Sequence, residues 1–317
     1  MIQSKESPQM EPAAITDVGC ERALNEDRYA SIHSPSGTTW LVCDGMGGTS
    51  GGDLAAQLAI DAIRRDLQGQ SPRPPAVSIE HALMEANRIV VLRRQNQAFA
   101  QMGTTATAVQ MLGTEIAIAN VGDSRAYLIR DGSIRQLTVD HTYVQELVEK
   151  GELGEEEALS HPQAHILTRC LGAEPGIKID LMQYWLTPPT SEVRSSRGDV
   201  LLLCSDGLYS LVEDGEIASL VASCAPSEAC EQLVALAKER GGFDNITLVV
   251  IPLSGELSSQ PPSGYSSERM LQKLQKASER TVAIRMRAIV QSVVVIGILS
   301  LIAALTAGIA IALRMKV

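Results

Sequence analysis

Apolar residues recur along this chain in two rhythms. In DLAAQLAIDAIRRDLQ (53–68), Ala55, Ala59, Ile63 and Leu67 share one helical face. Gln57, Asp61, Arg64, Arg65 and Gln68 share another, so the stretch predicts an amphipathic helix, which GQSPRPP ends. Residues 78–97 predict a second helix. Short strands follow: TATAVQML (105–112), TEIAIANV (114–121), RAYLIR (125–130) and SIRQL (133–137). Asp131-Gly132 marks a hairpin turn between the last two. Segments 140–150 and 154–160 predict short helices around Gly151, and Asp214-Gly215 starts or breaks a helix. DVLLLCS (199–205) and ITLVVIP (246–252) read as apolar strands. PSEACEQLVALAKERG between them reads as a helix with Gly241 near its C-cap. This order lacks the strict alternation of a doubly wound parallel sheet, and it predicts an α+β fold with largely antiparallel sheets.

The pattern changes at both ends. MIQSKESPQ (1–9) has no apolar core and reads as an N-terminal tail, not a signal peptide. The globular pattern fills residues 10–253. Residues 254–267, rich in Ser, Pro and Gly, read as a flexible linker. Residues 268–287 read as a basic juxtamembrane helix, in which Arg269, Lys273, Lys276, Arg280, Arg285 and Arg287 outnumber Glu268 and Glu279. Residues 288–313 carry no charge. A bilayer core needs about 20 such residues in a helix, so this run predicts a C-terminal transmembrane helix. Basic residues favour the cytoplasmic side of a span. The expectation is a single-pass protein of the cell membrane with its large domain in the cytoplasm. A formal charge of −10 argues against a nucleic-acid partner. The six cysteines show no CxxC spacing and read as reduced thiols.

The candidate chemistry lies at strand ends. The run WLVC (40–43) stops at Asp44, and a glycine-rich loop follows. Such a stretch could hold a phosphate, a metal or only a turn. A phosphate-cradling loop closes with GK[ST], and this one closes with Gly52-Asp53. Other acids occupy similar places. Asp206-Gly207 follows LLLC, Asp123 follows EIAIANV, Asp244 precedes ITLVV, and Glu26-Asp27 precedes a further strand. Carboxylates gathered without His or Cys partners repel one another unless hard cations such as Mg²⁺ or Mn²⁺ lie between them. Two such ions about 3.5–4 Å apart activate a water for in-line attack on phosphorus. The residues by themselves read as a carboxylate-only metal site, binuclear and hydrolytic.

In order, RALNED (22–27), DGMGG (44–48), GTTAT (103–107), NVGDSR (120–125), LTVDH (137–141), TRCLG (168–172), GDVLLLCSDGL (198–208) and DNIT (244–247) resemble the motifs of the metal-dependent Ser/Thr protein phosphatases, type 2C, of the bacterial kind. The resemblance implies an α/β/β/α sandwich: two antiparallel sheets flanked by helices. It implies hydrolysis of phosphoserine and phosphothreonine by a metal-bridged water, with two Mn²⁺ or Mg²⁺ ions and a possible third. By resemblance, Asp44 bridges both ions and Gly45 offers its carbonyl to one. Asp206 and Asp244 complete one shell, and Glu26 and Asp27 bind or orient the other metal and its waters. Asp123, with Asp206, matches the third-metal site, and Arg22 matches the phosphate-binding arginine. Residues 141–176 match a flap beside the site, where His141 and His161 are expected to play structural roles. Met46 stands where many eukaryotic relatives carry a proton-donating His, and Met has no proton to give. The implied partners are phosphoproteins, the substrates of a Ser/Thr kinase. The rival reading is a catalytically weak or inactive phosphatase-fold module that binds phosphoproteins or a kinase at the membrane. Every matching acidic position is occupied, which disfavours that rival.

Overall fold

Strands that are apolar on both faces need cover on both faces, and that requirement builds this architecture. The structure, a computed structural model, describes residues 10–262 apart from 48–50, 70, 160 and 189–197, together with 265, 266, 272 and 276. The chain begins with β1 (Ala13–Asp17), β2 (Arg28–Ser34), β3 (Gly37–Cys43) and β4 (Gly45–Met46), then α1 (Gly52–Gly69) and α2 (Pro75–Arg94). A meander follows: β5 (Gly103–Thr104), β6 (Ala106–Leu112), β7 (Glu115–Val121), β8 (Arg125–Arg130) and β9 (Ser133–Gln136). Next come α3 (Tyr143–Glu149), α4 (Glu155–Leu159), β10 (Asp180–Thr187) and β11 (Val200–Cys204). The described chain closes with α5 (Asp206–Tyr209), α6 (Asp214–Ser223), α7 (Pro226–Glu239), β12 (Ile246–Pro252) and β13 (Glu256–Ser258).

One sheet has the order β1-β12-β11-β8-β9 and the other β13-β10-β7-β6-β3-β2; every pairing is antiparallel. Alternation sorts each strand's side chains into two layers. Trp40, Val42, Ile116, Ile118, Leu201, Leu203, Val249 and Ile251 meet between the sheets. Leu41, Cys43 and the small Ala106, Ala108, Ala117 and Ala119 face outward, and α1 and α2 cover them. Leu202, Cys204, Leu248 and Val250 face the other way, under α6 and α7. The result is the four-layer α/β/β/α arrangement. All six cysteines are free.

Three local outcomes refine the sequence reading. Asp131 (φ 50°) and Gly132 (φ 74°) make the expected hairpin turn between β8 and β9. The second helix starts three residues earlier than expected, because Pro75 occupies its first turn, where a fixed φ and a missing N–H cost nothing. It also stops at Arg94. Residues Gln97–Phe99 form a separate 3-10 turn, in which the Asn96 side chain accepts from the Ala98 N–H at 3.0 Å.

The linker reading of 254–267 is corrected. Glu256–Ser258 is a strand on the edge of β10, and the compact unit runs to Tyr265. Leu257 is buried between the sheets, and its N–H donates to Asp199 Oδ2 at 2.6 Å. Arg130, ion-paired with Asp199, donates to the Leu257 carbonyl at 2.8 Å. Tyr265 packs edge-on to Trp185, with centroids 5.9 Å apart, and its hydroxyl bonds buried Glu115. A three-residue strand among Ser, Pro and Gly leaves no periodic signal. A chain ending at Leu253 is therefore expected to be less stable than one ending at Tyr265. Loss of Leu257 and its partners amounts to about 2 kcal/mol or more, about 4–8 °C of Tm for a domain of this size. Equal melting temperatures by calorimetry would refute this role for β13.

The predicted span, 288–313, lies outside the described residues, as does nearly all of the basic 268–287 segment. Among the described residues no helix is long and apolar enough to cross a membrane.

Candidate metal centre

The C-terminal ends of β3, β7 and β11 and the N-terminal ends of β2 and β12 meet at one end of the sandwich. A cavity of about 630 Å³ opens there. Glu26, Asp44, Gly45, Asp123, Asp206 and Asp244 all line it, with Arg22 and Met46. The strand ends thus bring together every predicted site residue except Asp27. That carboxyl is 1% exposed, stands behind the cavity and accepts from Ser205 Oγ at 2.6 Å.

Asp44 is held through its backbone, which leaves its carboxylate free. Its N–H donates to Thr105 Oγ1 at 2.9 Å, and its carbonyl accepts from Thr105 N–H at 2.8 Å and Thr104 Oγ1 at 2.9 Å. Thr105 Oγ1 lies 2.7 Å from Ser124 Oγ, next to Asp123. Buried hydroxyls therefore tie the Asp44 strand end to the Asp123 loop. Gly45 needs its missing side chain: a Cβ there would stand 2.1 Å from the Gly52 carbonyl oxygen. Gly52 N–H, at the start of α1, donates to Glu26 Oε1 at 3.2 Å. Asn245 fixes the other side of Glu26, accepting its N–H at 2.7 Å and donating to the carbonyls of Val18 and Leu24 at 2.9 and 3.1 Å.

Arg22 Nη2 pairs with Asp244 Oδ2 at 2.7 Å at the cavity mouth, and its side chain is half exposed. His165, from the flap, places Nδ1 3.6 Å from Asp206 Oδ2, and the neighbouring Asp206 carboxylate pushes its pKa up. His141 is structural, as expected. Its Nδ1 accepts the Gly122 N–H at 3.0 Å, and Nε2 lies 3.2 Å from Asp180 Oδ2. Burial lowers its pKa, which keeps the ring neutral. His161 also makes a local bond, accepting the Gln163 N–H at 3.1 Å.

The electrostatics of the cluster are those of a cation site. Burial first, then Asp27, Asp206, Asp123 and Asp244, hold the Asp44 carboxyl well above the usual range. Burial and Asp206 push Asp123 up to about 8. Burial pushes Asp27 up to about 7, against the hydroxyls of Ser205 and Thr247. Glu26 and Asp244 are raised by burial and lowered in part by Arg22. Asp206 Oδ1 is buried with no hydrogen-bond partner among the described residues. Among the described residues, no three His, Cys, Asp or Glu side chains close into a cage around one point. Asp244 turns to Arg22, Asp206 toward His165 and Asp27 to Ser205. Hard divalent cations that retain several waters suit such an open set of oxygen donors. The oxygen-only donors and the orphaned Asp206 Oδ1 fit Mn²⁺ or Mg²⁺.

Three residues at the site escaped the sequence reading. His165 left no signal, since a flap histidine without a spacing partner looks like any other. Asn245 and Thr105 lie inside the quoted motifs DNIT and GTTAT, but only the fold reveals what they hold.

Known proteins give the same picture. The sequence model of the family described as protein phosphatase 2C matches residues 21–239. The serine/threonine phosphatase stp of Listeria welshimeri is 35% identical over 243 residues, which is 74% of this chain and 93% of that protein. The crystal structure of the Mycobacterium tuberculosis serine/threonine phosphatase PstP/Ppp is similar with a TM-score of 0.67 and 33% identity, over 77% of this chain and 99% of that one. A structure of the PstP catalytic domain in complex with two manganese ions is similar with a TM-score of 0.64 and 32% identity, over 77% of this chain and 98% of that one. Alike to these enzymes in sequence and fold along nearly the whole described domain, the chain belongs to the protein phosphatase 2C family, the Mn²⁺- and Mg²⁺-dependent serine/threonine phosphatases of the bacterial type.

Proposed function

We propose that this chain hydrolyses phosphoserine and phosphothreonine in proteins at a site built by Asp44, Gly45, Glu26, Asp206 and Asp244. We further propose that residues 288–313 anchor it in the cell membrane with this domain in the cytoplasm. The observation that carries the reading is one cavity lined by five carboxylates with a guanidinium at its mouth. Asp44, crowded by Asp27, Asp206, Asp123 and Asp244, would be shared between two ions. The Gly45 carbonyl, Asp206 and Asp244 would hold one ion. Glu26 would hold the other, and Asp27 would orient that side from behind. Asp123, beside Asp206, would hold a third. Bound there, divalent ions supply an activated water and offset phosphate charge.

The chain's own groups do the rest. The planar fork of Arg22 suits two phosphate oxygens, and its bond to Asp244 holds it over the cavity. Thr104, Thr105 and Asn245 keep Asp44 and Glu26 in register. Met46 lines the wall and donates no proton to the leaving alcohol. The natural substrates are proteins phosphorylated by a Ser/Thr kinase.

Full-length protein with Mn²⁺ should release phosphate from a phosphothreonine peptide and show no labelled chain after acid quench. A trapped phosphoprotein would rule out direct attack by water. The anchor is tested by fractionation: the protein should pellet with membranes and require detergent for release. Recovery in the soluble fraction without detergent would exclude it.

A further inference from the structure

The same cavity has an apolar side. Ala23, Leu24, Met46 and Leu167 line it beside the acids. Three large apolar side chains stand in solvent at or next to this lining: Leu24 is 48% exposed, Ile166 49% and Phe243 40%. They come from three separate segments: the β1–β2 connection, the flap and the turn before β12. Each neighbours a group of the site. Leu24 lies two residues after Arg22, Ile166 follows His165, and Phe243 precedes Asp244. The Phe243 carbonyl also accepts from Arg22 Nε at 3.4 Å, which ties that turn to the arginine. Scattered exposed hydrophobics need no explanation, but several gathered at one functional opening mark a contact surface.

The charges point the same way. The basic side chains that line the cavity are Arg22 and His165, and each already faces an acid, Asp244 and Asp206. No lysine lines it. Acidic residues beside a phosphate would find no unengaged cation among the described side chains of the lining.

We propose that this rim selects the phosphopeptide: phosphoserine or phosphothreonine flanked by large aliphatic or aromatic residues is taken in preference to the same residue flanked by acidic or small polar ones. The inference rests on reading the cavity as the phosphatase site. Leu24, Ile166 and Phe243 lose water as flanking apolar side chains settle on them. That burial is the same in the ground state and the transition state, so it acts on KM more than on kcat.

The test uses full-length protein with Mn²⁺ and three phosphothreonine peptides that differ only in flanking Leu, Ser or Asp. The expected kcat/KM for the Leu peptide exceeds that for the Ser peptide about fivefold or more, carried by KM, with the Asp peptide lowest. In Leu24→Ser and in Phe243→Ser the Leu-to-Ser ratio is expected to fall about twofold or more. A ratio of one or less in the wild type overturns the proposal, and so does a ratio unchanged in both variants. Wild-type turnover of p-nitrophenyl phosphate separates the two ideas. Turnover of every substrate without preference refutes the rim alone; no turnover of any substrate refutes the phosphatase reading and the rim with it.

Discussion

Asp44→Asn is expected to lower Mn²⁺-dependent phosphate release on the order of 10³-fold and, at the same time, to raise the Tm of the metal-free protein. The two effects have one cause. The Asp44 carboxyl is crowded by Asp27, Asp206, Asp123 and Asp244, and burial adds to that cost. Asn keeps the shape and removes the charge. Without metal, that relieves repulsion; with metal, it would remove the carboxylate oxygen proposed to be shared between two ions. Thr104 and Thr105 hold Asp44 through its backbone, so the substitution leaves the scaffold intact. Activity assays paired with melting curves in EDTA check both halves. A variant with full activity, or one that melts well below wild type in EDTA, contradicts the assignment.

The second expectation is a reversed pH dependence of stability in the absence of metal. Asp27 is raised to about 7 and Asp123 to about 8, from an ordinary value of 3.8. Below about pH 4 these groups are protonated whether the chain is folded or not. As pH rises from about 4 to 8, the unfolded chain loses their protons first and the folded chain still holds them. Stability then falls with rising pH, since it follows the protons bound by the unfolded state minus those bound by the native state. The loss is of the order of a few kcal/mol, about 5–10 °C in Tm between pH 5 and pH 8.5. Saturating Mn²⁺ takes the place of those protons and should suppress the fall while raising Tm throughout. A metal-free Tm that stays level or climbs across this range would show that these carboxyls are not strained.

The pattern of strand ends was the most legible part of the chain. Short apolar runs such as WLVC and LLLC, bounded by Gly and Asp, read as strands covered on both faces, and an acid that ends such a run emerges at an end of the sheet. Asp44, Asp123, Asp206 and Asp244 were found this way and do share one cavity. Asp131-Gly132 shows why the dipeptide alone decides nothing, because there the same two residues only turn a hairpin. Adjacent acids were harder. Sequence gives no sign that Glu26 faces the cavity while its neighbour Asp27 faces Ser205. Segments shaped by long-range partners were not readable at all. β10 takes its place from β7 and β13, and β13 from Asp199 and Arg130. His165 reaches Asp206 only because the flap folds back across 41 positions of sequence.

The central claim is that these carboxylates hold two divalent cations that drive hydrolysis of a phosphomonoester. Its most direct test is a titration of Mn²⁺ into metal-free, full-length protein, with bound ion and phosphate release from a phosphothreonine peptide measured on the same sample. The account predicts no release in excess EDTA and a rate that rises as two ions bind per chain. Full release in EDTA, or a rate indifferent to bound Mn²⁺, would contradict it.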